Sequence, residues 1–213
     1  MPSAPSITLY DFELSANCYK VRLLLAFLKI DYTRVAVNVF PGFEARKPPF
    51  REINPLGQVP VLIDGDLVLR DSQAILVYLA KTYDPIGRWL PSDSRVFGQV
   101  MMWLFFAASE LSAATTARLH DMLDLPADEA AVKKSARNAF RIMDDHMTRR
   151  EHEGATWFQG DDATLADVAL FPSIALSRDF GVEHDEYPAL RRWIRRVRSI
   201  DGFIVMPGVP AFY

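Results

Sequence analysis

The chain has 213 residues, of which 50% are hydrophobic and 24% are charged, and its formal net charge at pH 7 is −3. This balance excludes an intrinsically disordered chain, and the small negative charge provides no basic field to attract nucleic acid or an anionic membrane. The single cysteine, Cys18, excludes an internal disulfide framework, and the four histidines show no metal-ligand spacing, so we expect no metal. The start lacks the features of a secretory leader, and the longest apolar run, 100–108, is too short to cross a bilayer. We therefore expect a cytoplasmic protein.

The first third of the chain alternates between strand and helix patterns. Residues 7–10 predict a strand, apolar residues at helical spacing predict a helix over 17–29, and alternating valines predict a second strand over 35–39. Two apolar runs, 59–63 and 67–69, flank an Asp-Gly pair and predict a hairpin. A further helix follows with Ser72 as its expected N-cap. The order β-α-β, loop, β-β-α predicts that the first two strands are parallel and the last two antiparallel.

The second part of the chain shows only helical patterns. Residues 84–92 contain two prolines and a glycine and are the best candidate for a linker between domains 1–83 and 93–213. The helices are expected at 93–122, 127–152, 165–179 and 187–200. Thr164 to Asp167 has the pattern of a capping box before the third of them. Five arginines lie on one side of the last helix, and we interpret them as a solvated face.

Three segments could carry chemistry. In Asn54-Pro-Leu-Gly-Gln-Val-Pro60, a cis bond before Pro60 would turn the backbone N–H and C=O of Val59 toward a ligand, although an ordinary loop entering a strand explains the pattern equally well. Asp71 and Ser72 stand at a helix start, where an ammonium could pair with the carboxylate and a ligand carboxylate with the free N–H groups. Simple capping is the alternative.

The third segment is Ser15-Ala-Asn-Cys18 at the start of the first helix. A hydroxyl at a helix N-terminus can donate a hydrogen bond to a bound thiolate, and the helix dipole adds to that stabilisation. Ser15 and Asn17 are also both good N-cap residues, so capping alone would explain them. Cys18 could be a nucleophile, but we favour a small apolar side chain packed on the helix.

Together these segments resemble the motifs of one family. Ser15-Ala-Asn-Cys-Tyr-Lys-Val-Arg22 is similar to the serine-type active-site segment of bacterial cytosolic glutathione S-transferases, and the 54–60 segment resembles their cis-proline loop. Asp71-Ser-Gln-Ala-Ile-Leu76 and Thr164-Leu-Ala-Asp167 resemble two further family motifs in the same order and spacing. The resemblance covers essentially the whole chain. It implies an α/β thioredoxin-like N-terminal domain, an all-α C-terminal domain and a homodimer.

The resemblance also implies roles for individual residues. Ser15 would stabilise the thiolate of bound glutathione, a co-substrate. Asn17 is similar to the asparagine of bacterial members that reduce disulfides or peroxides with bound glutathione, and there it would donate a second hydrogen bond to the sulfur. The backbone of Val59, with Pro60 cis, would pair with the cysteinyl part. The γ-glutamyl end would be held by Gln58, Asp71 and Ser72. The pocket for a small apolar electrophile would be built from Phe12, Phe40, Trp103 and Phe106, together with Arg118 and the tail at Phe212. From their position and charge alone, Arg46 and Lys47 are the candidates for the glycyl carboxylate.

Several alternatives accompany this assignment. Other classes use a tyrosine at the end of the first strand, but a gapless count places that position at Asp11 rather than Tyr10, so we favour Ser15. Asn17 stands where isomerase-type members have cysteine, which argues against maleylacetoacetate isomerisation. Glutathione transfer to an electrophile is the leading function. The alternatives are glutathione-dependent disulfide or peroxide reduction, and a non-catalytic binding or regulatory protein that kept the fold.

Overall fold

A four-stranded mixed sheet forms the centre of the N-terminal part in the computed structural model, which describes residues 7–209. Its strands are β1 (Ile7–Asp11), β2 (Thr33–Ala36), β3 (Val61–Asp64) and β4 (Leu67–Arg70), in the order β2-β1-β3-β4. Strands β1 and β2 are parallel, and β3 pairs antiparallel with both β1 and β4. The predicted parallel pair and the predicted hairpin are therefore both confirmed.

Three α-helices belong to this sheet: α1 (Ala16–Phe27), α2 (Pro48–Ile53) and α3 (Ser72–Tyr83). The second strand was predicted over 35–39 but covers only Thr33–Ala36, because its partner β1 ends at Asp11, opposite Ala36. Beyond that point Val37 and Val39 pack with Phe50 in a small separate apolar cluster. Val37 still donates its N–H to the carbonyl of Asp11 at 2.8 Å, and after this last bond to β1 the alternation of the valines reflects packing beside the sheet.

The C-terminal part contains five α-helices: α4 (Ser94–Ala108), α5 (Ser112–Leu123), α6 (Glu129–His152), α7 (Leu165–Ala175) and α8 (Pro188–Arg198). Short 3₁₀ turns occupy Ser177–Phe180 and His184–Glu186. The arginines of α8 are not merely solvated, since Arg192 and Arg196 both pair with Glu151 of α6 at 2.5 and 2.9 Å.

The prediction of a single helix over 93–122 is wrong, because the helix is interrupted between α4 and α5. The Ser109 hydroxyl donates to the carbonyl of Phe105 at 2.9 Å, and Leu111 turns inward until it is 1% exposed. Back-bonding serines and an inward leucine end one helix and start the next. The stretch Ser94–Leu123 is long and apolar enough to cross a membrane by length and composition, a test that core helices of other proteins also pass.

One continuous hydrophobic core joins the two parts. The ring of Phe27 in α1 stacks on Trp89 with centroids 4.9 Å apart, and the backbone of Leu165 donates to the carbonyl of Trp89 at 2.8 Å. Helix α7 is buried along its whole length. The stretch expected as a linker is thus partly packed into the core, and it fixes the position of the helices against the sheet.

Candidate functional site

Two adjoining cavities lie between the sheet part and helices α4 and α5, each with a volume of about 320 Å³. We call the first the polar cavity; its walls include Asn54, Gln58, Val59, Pro60, Asp71, Ser72, Ala107 and Ser112. We call the second the apolar cavity; its walls include Phe12, Leu14, Ser15, Phe40, Phe43, Arg118, Leu119 and Leu123. Asn17, Gln58, Val59 and Thr115 line both cavities. The structure therefore brings the three sequence segments to one place.

Asp71 at the start of α3 forms one end of the polar cavity. It is the N-cap of the helix, and its Oδ1 accepts from the backbone N–H groups of Gln73 at 2.8 Å and Ala74 at 3.1 Å. The prediction that Ser72 is the N-cap is wrong, because the longer carboxylate of Asp71 reaches those N–H groups first. Ser72 is the first helical residue, 4% exposed, with its hydroxyl bonded to the Gln73 side chain. Asp71 itself is exposed and has a φ of +79°, a backbone conformation that costs free energy and concentrates at functional sites.

The loop before β3 is held by a buried asparagine. Asn54 is 1% exposed; its Nδ2 donates to the carbonyl of Gln58 at 2.7 Å, and its Oδ1 accepts from the backbone of Leu56 at 3.1 Å. The Val59–Pro60 peptide bond is cis. Asn54 thus positions Gln58 and Val59 at the junction of the two cavities, whereas the sequence pattern marked it only as the first residue of the 54–60 segment.

Ser15 is the N-cap of α1, and its Oγ accepts from the backbone N–H of Cys18 at 3.2 Å. The serine is half-buried and lines the apolar cavity. Cys18 is fully buried, and burial raises the pKa of its thiol to about 12. A thiol that stays protonated is a poor nucleophile, so Cys18 packs as an apolar side chain and Ser15 is the group that faces the cavity.

Two arginines hold the loop that leads to Ser15. Arg22 of α1 donates to the carbonyl of Glu13 at 2.9 Å and pairs with the buried carboxylate of Asp11. Arg118 of α5 donates to the carbonyl of Leu14 and pairs with Asp179 at 2.6 Å. Arg118 was predicted from the sequence to line the electrophile pocket, and its anchoring of this loop was not predicted, because the contact joins residues 104 positions apart.

The tyrosine alternative finds no support in this geometry. Tyr10 packs against Phe50 with ring centroids 6.0 Å apart, on the side of the sheet that holds the small apolar cluster. Asp11, the position obtained by the gapless count, is fully buried between Arg22 and Arg34. Neither residue lines either cavity.

Trp103 and Phe106 do not line the apolar cavity, contrary to the sequence expectation. Trp103 is 5% exposed and packs inside the helical part, with its ring 4.9 Å from Phe158 and 4.7 Å from His146. Phe106 packs on Trp103 at 5.2 Å. The face of α4 that meets the polar cavity carries the small side chains of Ala107 and Ala108 instead. An apolar helix pattern marks a buried face but does not identify the neighbour that buries it.

The remaining predicted site residues do not all lie at the two cavities. Arg46 lines the apolar cavity, whereas Lys47 lines a separate cavity with Asn38 and Glu44. Phe212 lies outside the described residues. Within residues 7–209 there is no group of three or more histidine, cysteine or acidic side chains that could hold a metal ion.

Comparison with known proteins gives consistent matches over both parts of the chain. The family model described as glutathione S-transferase, N-terminal domain, matches residues 9–88, and the model described as glutathione S-transferase, C-terminal domain, matches residues 100–201. The chain is 31% identical over 188 residues to glutathione S-transferase 1 of Dianthus caryophyllus, a match that covers 86% of this chain and 83% of that protein.

Two further similarities are relevant. A probable maleylacetoacetate isomerase of Vibrio cholerae is 27% identical over 205 residues, which cover 93% of this chain and 94% of the isomerase. Among solved structures, a glutathione S-transferase from Pseudomonas fluorescens superposes with a TM-score of 0.85 at 28% identity, covering 94% of this chain and 98% of that one.

Proposed function

The chain belongs to the glutathione S-transferase family, and from that premise we propose that it binds glutathione in the polar cavity and presents the sulfur as a thiolate to an electrophile in the apolar cavity. The observation that carries this proposal is the junction of the two cavities. Asn17 and Val59 line both, and Ser15 stands beside them at the start of α1. A peptide laid along the polar cavity would reach the apolar one with its central residue.

The polar cavity suits the γ-glutamyl head of glutathione, which carries one ammonium and one carboxylate. Asp71 uses Oδ1 to cap α3, which leaves Oδ2 for the ammonium. The N–H of Ser72, at the first position of the helix, has no intrahelical acceptor and is available to the carboxylate. Gln58, also on this wall, would add an amide contact.

Ser15 and Asn17 would favour the thiolate over the thiol. The Ser15 oxygen accepts from Cys18, so its own proton is free to be donated to a sulfur. Asn17 can donate from Nδ2, and the N-terminus of α1 adds its partial positive charge. A free thiol has a pKa of about 8.5, and lowering it by about two units requires about 2.7 kcal/mol of preferential thiolate stabilisation. More thiolate means faster attack on an electrophile.

The apolar cavity sets the class of acceptor. Phe12, Phe40 and Phe43 give it aromatic walls, and Leu119 and Leu123 of α5 close it. Its volume of about 320 Å³ suits a small hydrophobic molecule. Arg46 at this cavity would meet the glycyl carboxylate. The pocket therefore supports conjugation of a small apolar electrophile.

Two other glutathione-dependent reactions remain candidates. Reduction of a disulfide or peroxide is supported by Asn17 and by the burial of Cys18, which leaves the sulfur of glutathione to carry the chemistry. Isomerisation of maleylacetoacetate is supported by the Vibrio cholerae relative, although Asn17 argues against it. Each would use the same thiolate.

The deciding experiment has two parts. Isothermal calorimetry with glutathione tests binding, and an ultraviolet titration of the bound thiolate compares the wild type with Ser15→Ala. We expect Ser15→Ala to retain glutathione and to raise the pKa of the bound thiol from about 6.5 toward about 8.5, which lowers the thiolate fraction at pH 7 by up to about 25-fold. Ser94→Ala, an exposed serine at the start of α4 outside both cavities, is the matched control. A thiolate spectrum unchanged by Ser15→Ala would refute this role of Ser15.

A substrate panel then separates the reactions: an aryl halide, a hydroperoxide, a mixed disulfide and maleylacetoacetate. Turnover of the aryl halide alone supports conjugation. Turnover of only one of the other substrates would instead assign the corresponding reduction or isomerisation. Glutathione binding without any turnover would favour the non-catalytic alternative.

We also propose a homodimer in the cytoplasm. Phe105 and Met102 on α4 are 67% and 54% exposed in the isolated chain, and large exposed apolar side chains on one helix mark contact surfaces. Light scattering during gel filtration checks the dimer, and a monomer at micromolar concentration would contradict it.

A further inference from the structure

Lys20 of α1 is a buried cation that the proposed chemistry has not used. It is 2% exposed, whereas lysine is almost never fully buried unless it is paired. Its Nζ donates to Oδ1 of Asn17 at 2.9 Å, and no other acceptor for this ammonium is assigned within residues 7–209. The Lys20 ammonium therefore lies on the protein side of Asn17, a residue that lines both cavities.

The ammonium is charged under ordinary conditions. Burial lowers the pKa of Lys20 to about 8, and the carboxylate of Asp71 opposes that effect. Asp71 is the charged residue whose field acts on this lysine. At pH 7 a group with this pKa is mostly protonated, so Asn17 faces a cation on its protein side.

A lysine ammonium can only donate, which fixes the orientation of the Asn17 amide. The oxygen must face Lys20, and the NH₂ group must point the other way. Asn17 lines both cavities, and no protein acceptor is assigned to its Nδ2 in the described part of the chain. Without the lysine, the amide could present either its oxygen or its nitrogen, and an oxygen would repel a thiolate.

We propose that Lys20 is a positioning residue that holds Oδ1 of Asn17 toward the protein, so that Nδ2 donates into the junction where the sulfur of bound glutathione would lie. This inference rests on the proposed function. Lys20 acts through Asn17 and lines neither cavity itself. The hydrogen bond to the cation also polarises the amide, which strengthens the donor on its other side.

The test is a double-mutant cycle on the pKa of the bound glutathione thiol, measured by thiolate absorbance. Lys20→Met should raise that pKa by about one unit, a tenfold fall in the ionisation constant of the thiol, and Asn17→Ala should do the same. The double variant should match Asn17→Ala alone, because the lysine acts only through the asparagine. Lys20→Arg retains a charged donor and should restore most of the effect.

Binding of S-methylglutathione, which has no thiol to ionise, separates positioning from general damage to the site. Its affinity should change less than threefold in Lys20→Met. A Lys20→Met variant with an unchanged thiol pKa, or one whose effect persists in the Asn17→Ala background, would overturn the inference. A wild type that binds glutathione without lowering its thiol pKa would overturn the proposed function instead.

Asn17→Asp supplies a second test that does not require a change at the buried lysine. Aspartate keeps an acceptor for Lys20 but removes the Nδ2 donor, so the chain should fold and the bound thiol pKa should rise at least as far as in Asn17→Ala. A thiol pKa unchanged by Asn17→Asp would show that Nδ2 does not face the sulfur, and it would overturn the inference even if Lys20→Met failed to fold.

Discussion

Two helices of this chain begin at a hydroxyl side chain that accepts a backbone N–H, and they differ in what surrounds that bond. At α7, Thr164 is 1% exposed, and Asp167 closes a capping box around it. At α1, Ser15 is half-buried beside a cavity, and the third helical position holds Cys18, which cannot close a box. We call the start of α7 closed, because a capping box surrounds its hydroxyl, and the start of α1 open, because its hydroxyl lies beside a cavity.

The difference lies in how completely the polar groups are satisfied. Asp167 accepts from the backbone of Thr164 at 2.9 Å, from the backbone of Phe158 at 3.2 Å and from the indole of Trp193 at 2.8 Å. At α1, the hydroxyl proton of Ser15 and the amide nitrogen of Asn17 have no assigned protein acceptor in the described region. A closed helix start contributes stability, and an open one leaves donors for a ligand.

The largest expected effect is at the closed end. Asp167→Ala would remove the acceptor of four buried donors, the Thr164 hydroxyl among them, so we expect a loss of about 3–5 kcal/mol in the free energy of unfolding. Urea denaturation followed by circular dichroism measures it. Asp161→Ala, an exposed aspartate a few residues earlier, is the control and should change stability by less than about 0.5 kcal/mol. A small effect of Asp167→Ala would mean that α7 does not depend on its box.

A buried histidine at the C-terminal end of α7 predicts that the stability of the protein depends on pH. His184 is fully buried, and its Nε2 lies 2.7 Å from the carbonyl of Ile174, so that nitrogen carries the proton. Burial lowers the pKa of His184 to about 4. A pKa below the unfolded value of about 6.5 means that its contribution is complete above pH 6.5 and is lost as the pH falls toward 4.

We expect the stability of the wild type relative to His184→Gln to fall by about 3 kcal/mol between pH 6.5 and pH 4. The comparison with a variant is necessary because burial raises the pKa of Asp167 to about 6, which gives a slope of the opposite sign over pH 4–6. Denaturation curves at several pH values measure the difference. His152→Gln, at an exposed histidine, is the control, and equal pH slopes for the two variants would contradict the prediction.

Local signals were readable from the sequence, and long-range contacts were not. The parallel pair, the hairpin and the Thr164–Asp167 box follow from alternation and spacing within a few residues, and all three are present. The position of Trp103 depends on which neighbour covers its helix face, and the sequence does not state this. Likewise, nothing in the pattern around Lys20 distinguishes a buried lysine from an exposed one.

The candidate site divides in the same way. Ser15, Asn17, Gln58, Val59, Asp71 and Ser72 come together because each stands in a short motif whose backbone geometry is local. Arg118, which holds the loop before Ser15, acts through a contact 104 positions away and was assigned another role. Asn54 was left without a role although its bonds to Leu56 and Gln58 are local, because its type and spacing do not show which way its amide points. Even at Asp71, the cap was misassigned by one residue because either side chain can bond the next turn's N–H groups.

Asp71 is intermediate between the two helix starts, because it caps α3 and also faces the polar cavity. Asp71→Ala should weaken glutathione binding by about tenfold or more through the lost ammonium pair, and lower stability by about 1 kcal/mol through the lost cap. Asp93→Ala is a close control, since Asp93 caps α4 with the same two bonds, to Arg95 at 3.1 Å and Val96 at 3.0 Å, and lines neither cavity. Calorimetry that found the same glutathione affinity in both variants would remove Asp71 from the ligand site.

The smallest expected effect is the one that most directly tests the open helix start. Ser15→Ala removes a single half-exposed cap bond of 3.2 Å, so the free energy of unfolding should fall by about 1 kcal/mol or less. Thr164→Ala, at the closed start, removes a cap inside the core together with a buried methyl group, and it should cost about 2 kcal/mol. If denaturation showed equal losses, Ser15 would be a structural cap like Thr164. A small loss of stability combined with a large loss of thiolate would instead mean that the hydroxyl of Ser15 is retained for the ligand rather than for the fold.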